Sequence, residues 1–131
     1  MKFAVALALA ASTAAWGHER RAADTIKPSK TVRHIYRVQG CSADAGKEVL
    51  AAFERESSTL TFDLYLICTE QAWRGFLKSH KFPATVVAVT DWEKGRIFIG
   101  PGPLRDAVLL KYTVKHELQH LRCKCSLGET S

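Results

Sequence analysis

The sequence predicts an α+β domain in which a mixed, twisted sheet of about four strands is packed by one long helix and one or two further helices. Strand-like alternation and helix-like periodicity of apolar residues succeed each other from about residue 31, and the last and longest pattern is helical. The composition fits one globular domain, because 47% of the 131 residues are hydrophobic and 24% are charged. These values exclude a disordered, collagen-like or repetitive chain.

Residues 1–17 have the pattern of a secretory signal peptide. Lys2 precedes an apolar run over residues 3–11, and small residues follow up to Gly17. The run is shorter than the roughly 20 residues that a transmembrane helix needs, so we predict no transmembrane segment. The protein is therefore predicted to be secreted or periplasmic. The alternative is that these residues form a hydrophobic N-terminal helix of the domain itself.

Residues 18–30 are polar and charged without an apolar period, which predicts a flexible basic leader before a domain at residues 31–131. The net charge of +6 comes from 19 basic and 13 acidic residues. Such a charge favours solubility and weak attraction to anionic surfaces, but it identifies no partner. We predict no specific nucleic-acid partner.

The first half of the domain predicts a strand, a helix and a second strand. Apolar and polar residues alternate over residues 31–38, and the pattern ends at Gly40. Ser42 is a good N-cap for a helix that continues to about Glu56. Residues 60–68 are rich in Leu, Phe, Tyr and Ile, which favours a buried strand. A crossover of this length makes the two strands parallel neighbours.

The second half predicts a short helix, a hairpin and a long helix. Residues 69–79 have helical spacing, and Pro83 prevents the pattern from continuing. Residues 85–90 and 96–99 are rich in β-branched residues, and the connection between them contains Gly95, which predicts an antiparallel hairpin. A helical pattern then covers residues 104–122.

The long helix carries a regular apolar stripe, which consists of Ala107, Leu110, Val114, Leu118 and Leu121. At about 100° per residue, His116 and His120 lie roughly 40° apart on the helix surface and about 160° from Leu118. Both rings are therefore expected to point away from the packed stripe into a cleft. Glu117 lies between the two sides.

His116, Glu117 and His120 form the arrangement His-Glu-x-x-His. Imidazoles one helical turn apart can bind one metal ion, and the adjacent carboxylate reaches a water on that ion. Zinc lowers the pKa of such a water towards about 7 and polarises a carbonyl, while the carboxylate moves the proton to the leaving amine. The spacing therefore predicts a metal site with hydrolytic chemistry.

The sequence around this motif resembles the zincin metallopeptidases. Residues 113–115 before the motif and Leu121 after it are similar to the longer zincin consensus, although Arg122 stands where an apolar residue is usual. The order of predicted elements over residues 31–122 looks like the upper subdomain of zincins, especially the small gluzincins called minigluzincins. The resemblance implies a zincin-like fold and a zinc metallopeptidase.

The resemblance also implies the roles of individual residues. His116 and His120 would be Zn²⁺ ligands, and Glu117 would be the general base. A peptide or protein substrate would pair with the sheet edge, which the resemblance places at the strand that begins at Arg96 and ends at Gly100.

The third zinc ligand departs from the family pattern. A metzincin would have a histidine at the position of Ser126. A gluzincin takes a glutamate from a later helix, and Glu129 is the tentative candidate. Cys123 or Cys125 is the second possibility. The third is that the domain is truncated at its C-terminus and that the ligand lies beyond this sequence.

The four cysteines are expected to form disulfides if the protein is exported. Cys41 follows the first strand and Cys68 closes the second, so parallel neighbours would bring both to one edge of the sheet. The alternative for Cys68 is a buried thiol. Cys123 and Cys125 are so close in sequence that we do not expect them to bridge each other.

We interpret the sequence as an exported zinc metallopeptidase. Tyr112, one turn before His116, would stabilise an oxyanion if the resemblance to gluzincins extends to it, and the alternative is ordinary packing in the cleft. Two other functions stay open. One is a non-catalytic zincin-fold fragment, and the other is a basic periplasmic binding protein in which the motif arose by chance.

Overall fold

The computed structural model of the chain describes residues 31–38, 40–56 and 59–125, which form an α+β fold with a four-stranded mixed sheet and four helices. In chain order the elements are β1 (Val32–Arg37), α1 (Ala43–Glu54), β2 (Phe62–Leu66), α2 (Glu70–Ser79), β3 (Ala88–Asp91), β4 (Arg96–Ile99), α3 (Pro101–Leu104) and α4 (Ala107–Cys123). The predicted signal peptide, the basic leader and Glu129 lie outside the described residues. Among the described residues, no helix combines the length and apolar character that crossing a membrane requires.

The sheet has the strand order β1-β2-β4-β3. Strand β2 pairs in parallel with β1 and with β4, while β3 pairs with β4 in antiparallel orientation. The predicted parallel crossover and the predicted hairpin are both confirmed. Each connection follows from local sequence, because the helix α1 separates the parallel pair and a short Gly-containing turn joins the antiparallel pair.

The expectation that the strand from Arg96 to Gly100 forms the sheet edge is wrong. Strand β4 has one neighbour on each side, since Ile97 lies opposite Leu64 of β2 and opposite Thr90 of β3. Both of its backbone ladders are therefore used within the sheet. The edge strand on this side of the described sheet is β3.

Three of the four described helices, α1, α2 and α4, begin at a side-chain cap. Ser42 caps α1 by accepting from the N–H of Ala45, and Thr69 caps α2 by accepting from the N–H of Ala72, each at 3.2 Å. Asp106 accepts from two N–H groups at the start of α4. This cap divides the helix that was predicted from residue 104 into the short α3 and the long α4.

The division between α3 and α4 also corrects the apolar stripe. Ala107, the first residue of α4, is exposed. The other four residues of the stripe are buried, and they are Leu110, Val114, Leu118 and Leu121. Val108, the next residue in the first turn of α4, is exposed as well.

The core consists of two layers, one on each face of the sheet. Ile97 and Ile99 of β4 belong to the layer that contains the buried side chains of α1 and α4. Phe98, between them, belongs to the layer of α2, where the indole N–H of Trp73 donates to the carbonyl of Val86 at 2.8 Å. This alternation is the period of two expected for a strand with both faces covered. Helix α4 is thus anchored on one face and contacts the edge strand β3.

The structure contains two disulfides. The predicted bridge between Cys41 and Cys68 is confirmed, with a Cα–Cα distance of 5.1 Å. The expectation that Cys123 and Cys125 do not bridge each other is wrong, since they form the second disulfide with a Cα–Cα distance of 5.3 Å. The residue between them, Lys124, has the left-handed conformation (φ 56°, ψ 49°), which ends α4 and turns the chain back.

Candidate metal centre

His116, Glu117 and His120 meet on one side of α4. One nitrogen of each ring and one carboxylate oxygen lie within 4.8 Å of one another. His116 is half-buried, Glu117 is 2% exposed and His120 is 8% exposed. The two rings share one side of the helix, as the spacing predicts, but His120 is enclosed rather than open to solvent.

The spacing of the two rings suits a shared ion. Their Nε2 atoms are 3.0 Å apart and the ring planes are nearly perpendicular, at 82°. Two nitrogen ligands on a tetrahedral zinc ion, each at about 2.0–2.1 Å, would be about 3.3 Å apart. A shift of a few tenths of an ångström therefore separates the observed geometry from that of two ligands on one ion. The donor set fits zinc.

His120 is held in one tautomer by the backbone. Its Nδ1 lies 2.9 Å from the carbonyl oxygen of Cys125. A carbonyl oxygen only accepts, so Nδ1 carries the proton and Nε2 of the neutral ring carries the lone pair. The Nε2–H of His116 then donates to Nε2 of His120, and an ion between the rings would take the place of that proton.

Glu117 is oriented by the edge strand. The Thr90 hydroxyl lies 2.6 Å from the Glu117 Oε1 atom and donates to it. The same hydroxyl is 3.3 Å from the Glu117 carbonyl oxygen, which keeps Thr90 close to this turn of the helix. Because Thr90 belongs to β3, the carboxylate is directed towards the sheet edge and away from the apolar core.

The remaining candidate residues are not part of this cluster. Glu129 and Ser126 lie outside the described residues. Cys123 and Cys125 are joined to each other, so neither offers a thiolate ligand in this state. Tyr112 is 66% exposed, which contradicts the alternative that it packs in a cleft.

Two interactions of the site escape sequence analysis. Thr90 contacts Glu117 from a strand that lies 27 residues away in sequence. The Cys125 carbonyl contacts His120 through a turn whose shape depends on a left-handed residue. Neither contact has a local sequence pattern that could have predicted it.

A cavity of about 740 Å³ lies on the opposite flank of α4, and it is a different feature. Its lining includes Glu48 and Arg55 of the α1 region and Leu110, Lys111 and Lys115 of α4. None of the three clustered residues lines it. Its size therefore says nothing about the metal centre.

Together, the fold and the site define an α+β protein whose long helix presents a His-Glu-His group that could hold a metal ion. Comparisons of the chain with protein-family models, with curated proteins and with solved structures gave no match.

Proposed function

We propose that this protein is an exported zinc metallopeptidase with a zincin-like fold, which hydrolyses peptide bonds with Glu117 as the general base. The observation that carries the proposal is the 3.0 Å separation of the His116 and His120 Nε2 atoms beside a buried carboxylate. When bound, zinc supplies a water of lowered pKa and polarises the carbonyl of the scissile bond.

The two histidines would hold the ion. His120 presents Nε2 because its Nδ1–H is used by the Cys125 carbonyl, and this kind of outer contact fixes both ring orientation and tautomer in metal sites. His116 approaches the same point from one helical turn earlier. The ligand atoms are thus arranged before any ion binds, which reduces the cost of ordering them.

Glu117 would accept the proton of the attacking water and pass it to the leaving amine. The Thr90 hydroxyl fixes the Oε1 atom, so the carboxylate keeps one orientation. A fixed orientation matters because a general base acts only within hydrogen-bond reach of the proton that it abstracts.

The substrate would be a peptide or protein that pairs with β3 instead of the strand that begins at Arg96. Strand β3 is an edge strand of the described sheet and contacts α4, and its Thr90 contacts Glu117. An extended peptide can add to such an edge through backbone hydrogen bonds. Pairing there would place the peptide beside the carboxylate.

The test is to measure the zinc content and the rate of peptide hydrolysis of the purified parent protein and of three variants. We expect one zinc per chain in the parent. His116→Ala should lose the zinc, whereas Glu117→Gln should keep it and lose hydrolysis by about 100- to 10,000-fold. Gln119→Ala, an exposed position on the same helix, should change neither quantity. A parent without zinc, or with full hydrolysis in Glu117→Gln, would contradict the proposal.

A non-catalytic zinc protein is the second candidate, and one observation favours it. Within the described residues, the only group of three potential ligands includes Glu117 itself. If Glu117 is the third ligand, it cannot also be the base. Glu117→Gln would then weaken zinc binding, and the parent would hold zinc without turning over peptides.

Export is proposed from residues 1–17 alone. We expect the protein recovered outside the cytoplasm to begin at or shortly after residue 15, because a small-residue site is cleaved there. Intact-mass measurement tests this. A full-length mass that includes Met1 in the exported fraction would contradict it.

A further inference from the structure

The C-terminal turn of α4 folds back onto His120. The N–H of Lys124 donates to the His120 carbonyl at 2.9 Å, and the N–H of Cys125 approaches the same oxygen at 3.4 Å. In the opposite direction, the His120 ring donates from Nδ1 to the Cys125 carbonyl. The backbone and the side chain of one histidine are thus both bound by this turn.

The backbone conformation of this turn is unfavourable for its central residue, so it needs a constraint. Lys124 has a positive φ of 56°, which an L-residue with a Cβ atom adopts at a cost. The Cys123–Cys125 disulfide spans this residue. A bridge over one residue removes most of the extended conformations that the turn would otherwise sample. The carbonyl of Cys125 therefore stays against Nδ1.

We infer that the Cys123–Cys125 disulfide positions His120 for metal binding, so that metal affinity depends on the redox state of this pair. The inference rests on the proposed metal site, but not on peptide hydrolysis. Reduction by a dithiol transfers two electrons and two protons. The Sγ–Sγ bond breaks, both cysteines become thiols, and the dithiol becomes a cyclic disulfide. The turn then opens, and His120 loses the acceptor that selects its tautomer.

The first test measures the tautomer of His120 without any metal. Imidazole nitrogen-15 chemical shifts are recorded at a pH at which the ring is neutral. In the parent we expect Nδ1 protonated and Nε2 unprotonated. The double variant Cys123→Ser with Cys125→Ser should give a mixture of tautomers, because the ring is no longer held. The double variant Cys41→Ser with Cys68→Ser removes the other bridge and should keep the parent tautomer.

The second test measures zinc affinity by competition with a chelator. Loss of an outer contact to a metal ligand weakens binding by about 10- to 100-fold, and we expect this loss in the Cys123/Cys125 double variant. The Cys41/Cys68 double variant should bind zinc like the parent. Serines replace the cysteines so that free thiolates do not add ligands of their own.

A pair of substitutions at Lys124 tests the turn itself if either double variant fails to fold. Lys124→Pro keeps both cysteines, but it forbids the positive φ and removes the N–H that donates to the His120 carbonyl, so it should reproduce the mixed tautomer and the weaker zinc binding. Lys124→Gly permits the positive φ and should match the parent. Unchanged tautomer and unchanged affinity in the Cys123/Cys125 and Lys124→Pro variants would overturn the inference.

The two readouts separate this inference from the proposed function. Zinc binding and a His120 tautomer that both depend on the bridge, in a protein that hydrolyses no peptide, would support this inference and refute the metallopeptidase. Zinc-dependent hydrolysis in a protein whose His120 tautomer does not depend on the Cys123–Cys125 bridge would support the metallopeptidase and refute this inference.

Discussion

Helix α4 buries two stripes of different chemistry. On one side Leu110, Val114 and Leu118 pack in the layer shared with α1 and the sheet. On the other side Glu117 and His120 are almost as buried, but their contacts are hydrogen bonds to a strand and to the helix C-terminal turn. Burial of apolar surface is the main stabilisation of a fold, whereas a buried hydrogen bond contributes only about 0.5–1.5 kcal/mol net. The first stripe explains why the helix packs, and the second contains two of the three residues that could hold a metal ion.

The largest expected effect of a single change lies on the apolar stripe. Leu118→Ala should lower the free energy of unfolding by about 2–5 kcal/mol, because the side chain is 1% exposed and its removal leaves a cavity. Zinc affinity of the remaining folded protein should stay within about twofold. Denaturant unfolding and zinc competition measure the two quantities, with Gln119→Ala as the exposed neighbour for comparison. A large drop in zinc affinity would show that the two stripes are not separable.

A substitution that removes a contact of the polar stripe should cost less unfolding free energy, but it should also lower peptide hydrolysis. Thr90→Val keeps the shape of the side chain and removes the donor to the buried Glu117 carboxylate. We expect a loss of about 1–3 kcal/mol in unfolding free energy. Peptide hydrolysis should fall about 10- to 100-fold, because the base loses its fixed orientation. Thr85→Val, at an exposed position of the preceding loop, serves as the control. Loss of stability with unchanged hydrolysis would argue against Glu117 as the base.

The smallest expected loss of unfolding free energy comes from a substitution at the N-cap of α4, outside both stripes. Asp106 caps α4 by accepting from the N–H groups of Val108 and Leu109, so Asp106→Ala should cost about 1 kcal/mol of unfolding free energy. Zinc affinity should not change, since the cap lies far along the helix from His116. A parallel loss of zinc affinity would show that the site follows the general stability of the helix and not the local contacts described above.

The sequence predicts what is decided by near neighbours. Ser42 and the apolar period after it are enough to predict α1. The spacing of His116 and His120 is enough to place both rings on one side of α4. The Cys41–Cys68 bridge follows from two parallel strands whose ends meet. In each case a short stretch of chain or a single crossover fixes the result.

The remaining features depend on contacts between distant segments or on a backbone conformation that the residue type does not indicate. The order of β3 and β4 decides which strand is the edge, and both strands are apolar enough to lie inside a sheet. A register shift between Val32 and His34 puts Val32 and Ile35 in the core, which strict alternation does not predict. The bridge across Lys124 requires a left-handed residue. A lysine in the sequence does not predict that conformation.

The proposed metal centre depends on one ion shared by His116 and His120. The most direct measurement is anomalous diffraction at the zinc absorption edge from crystals of the zinc-loaded protein. We expect a single strong peak at about 2.0–2.1 Å from the Nε2 atoms of both rings, with the His120 Nδ1–H still hydrogen-bonded to the Cys125 carbonyl. A peak on only one ring, or none between the two, would contradict it.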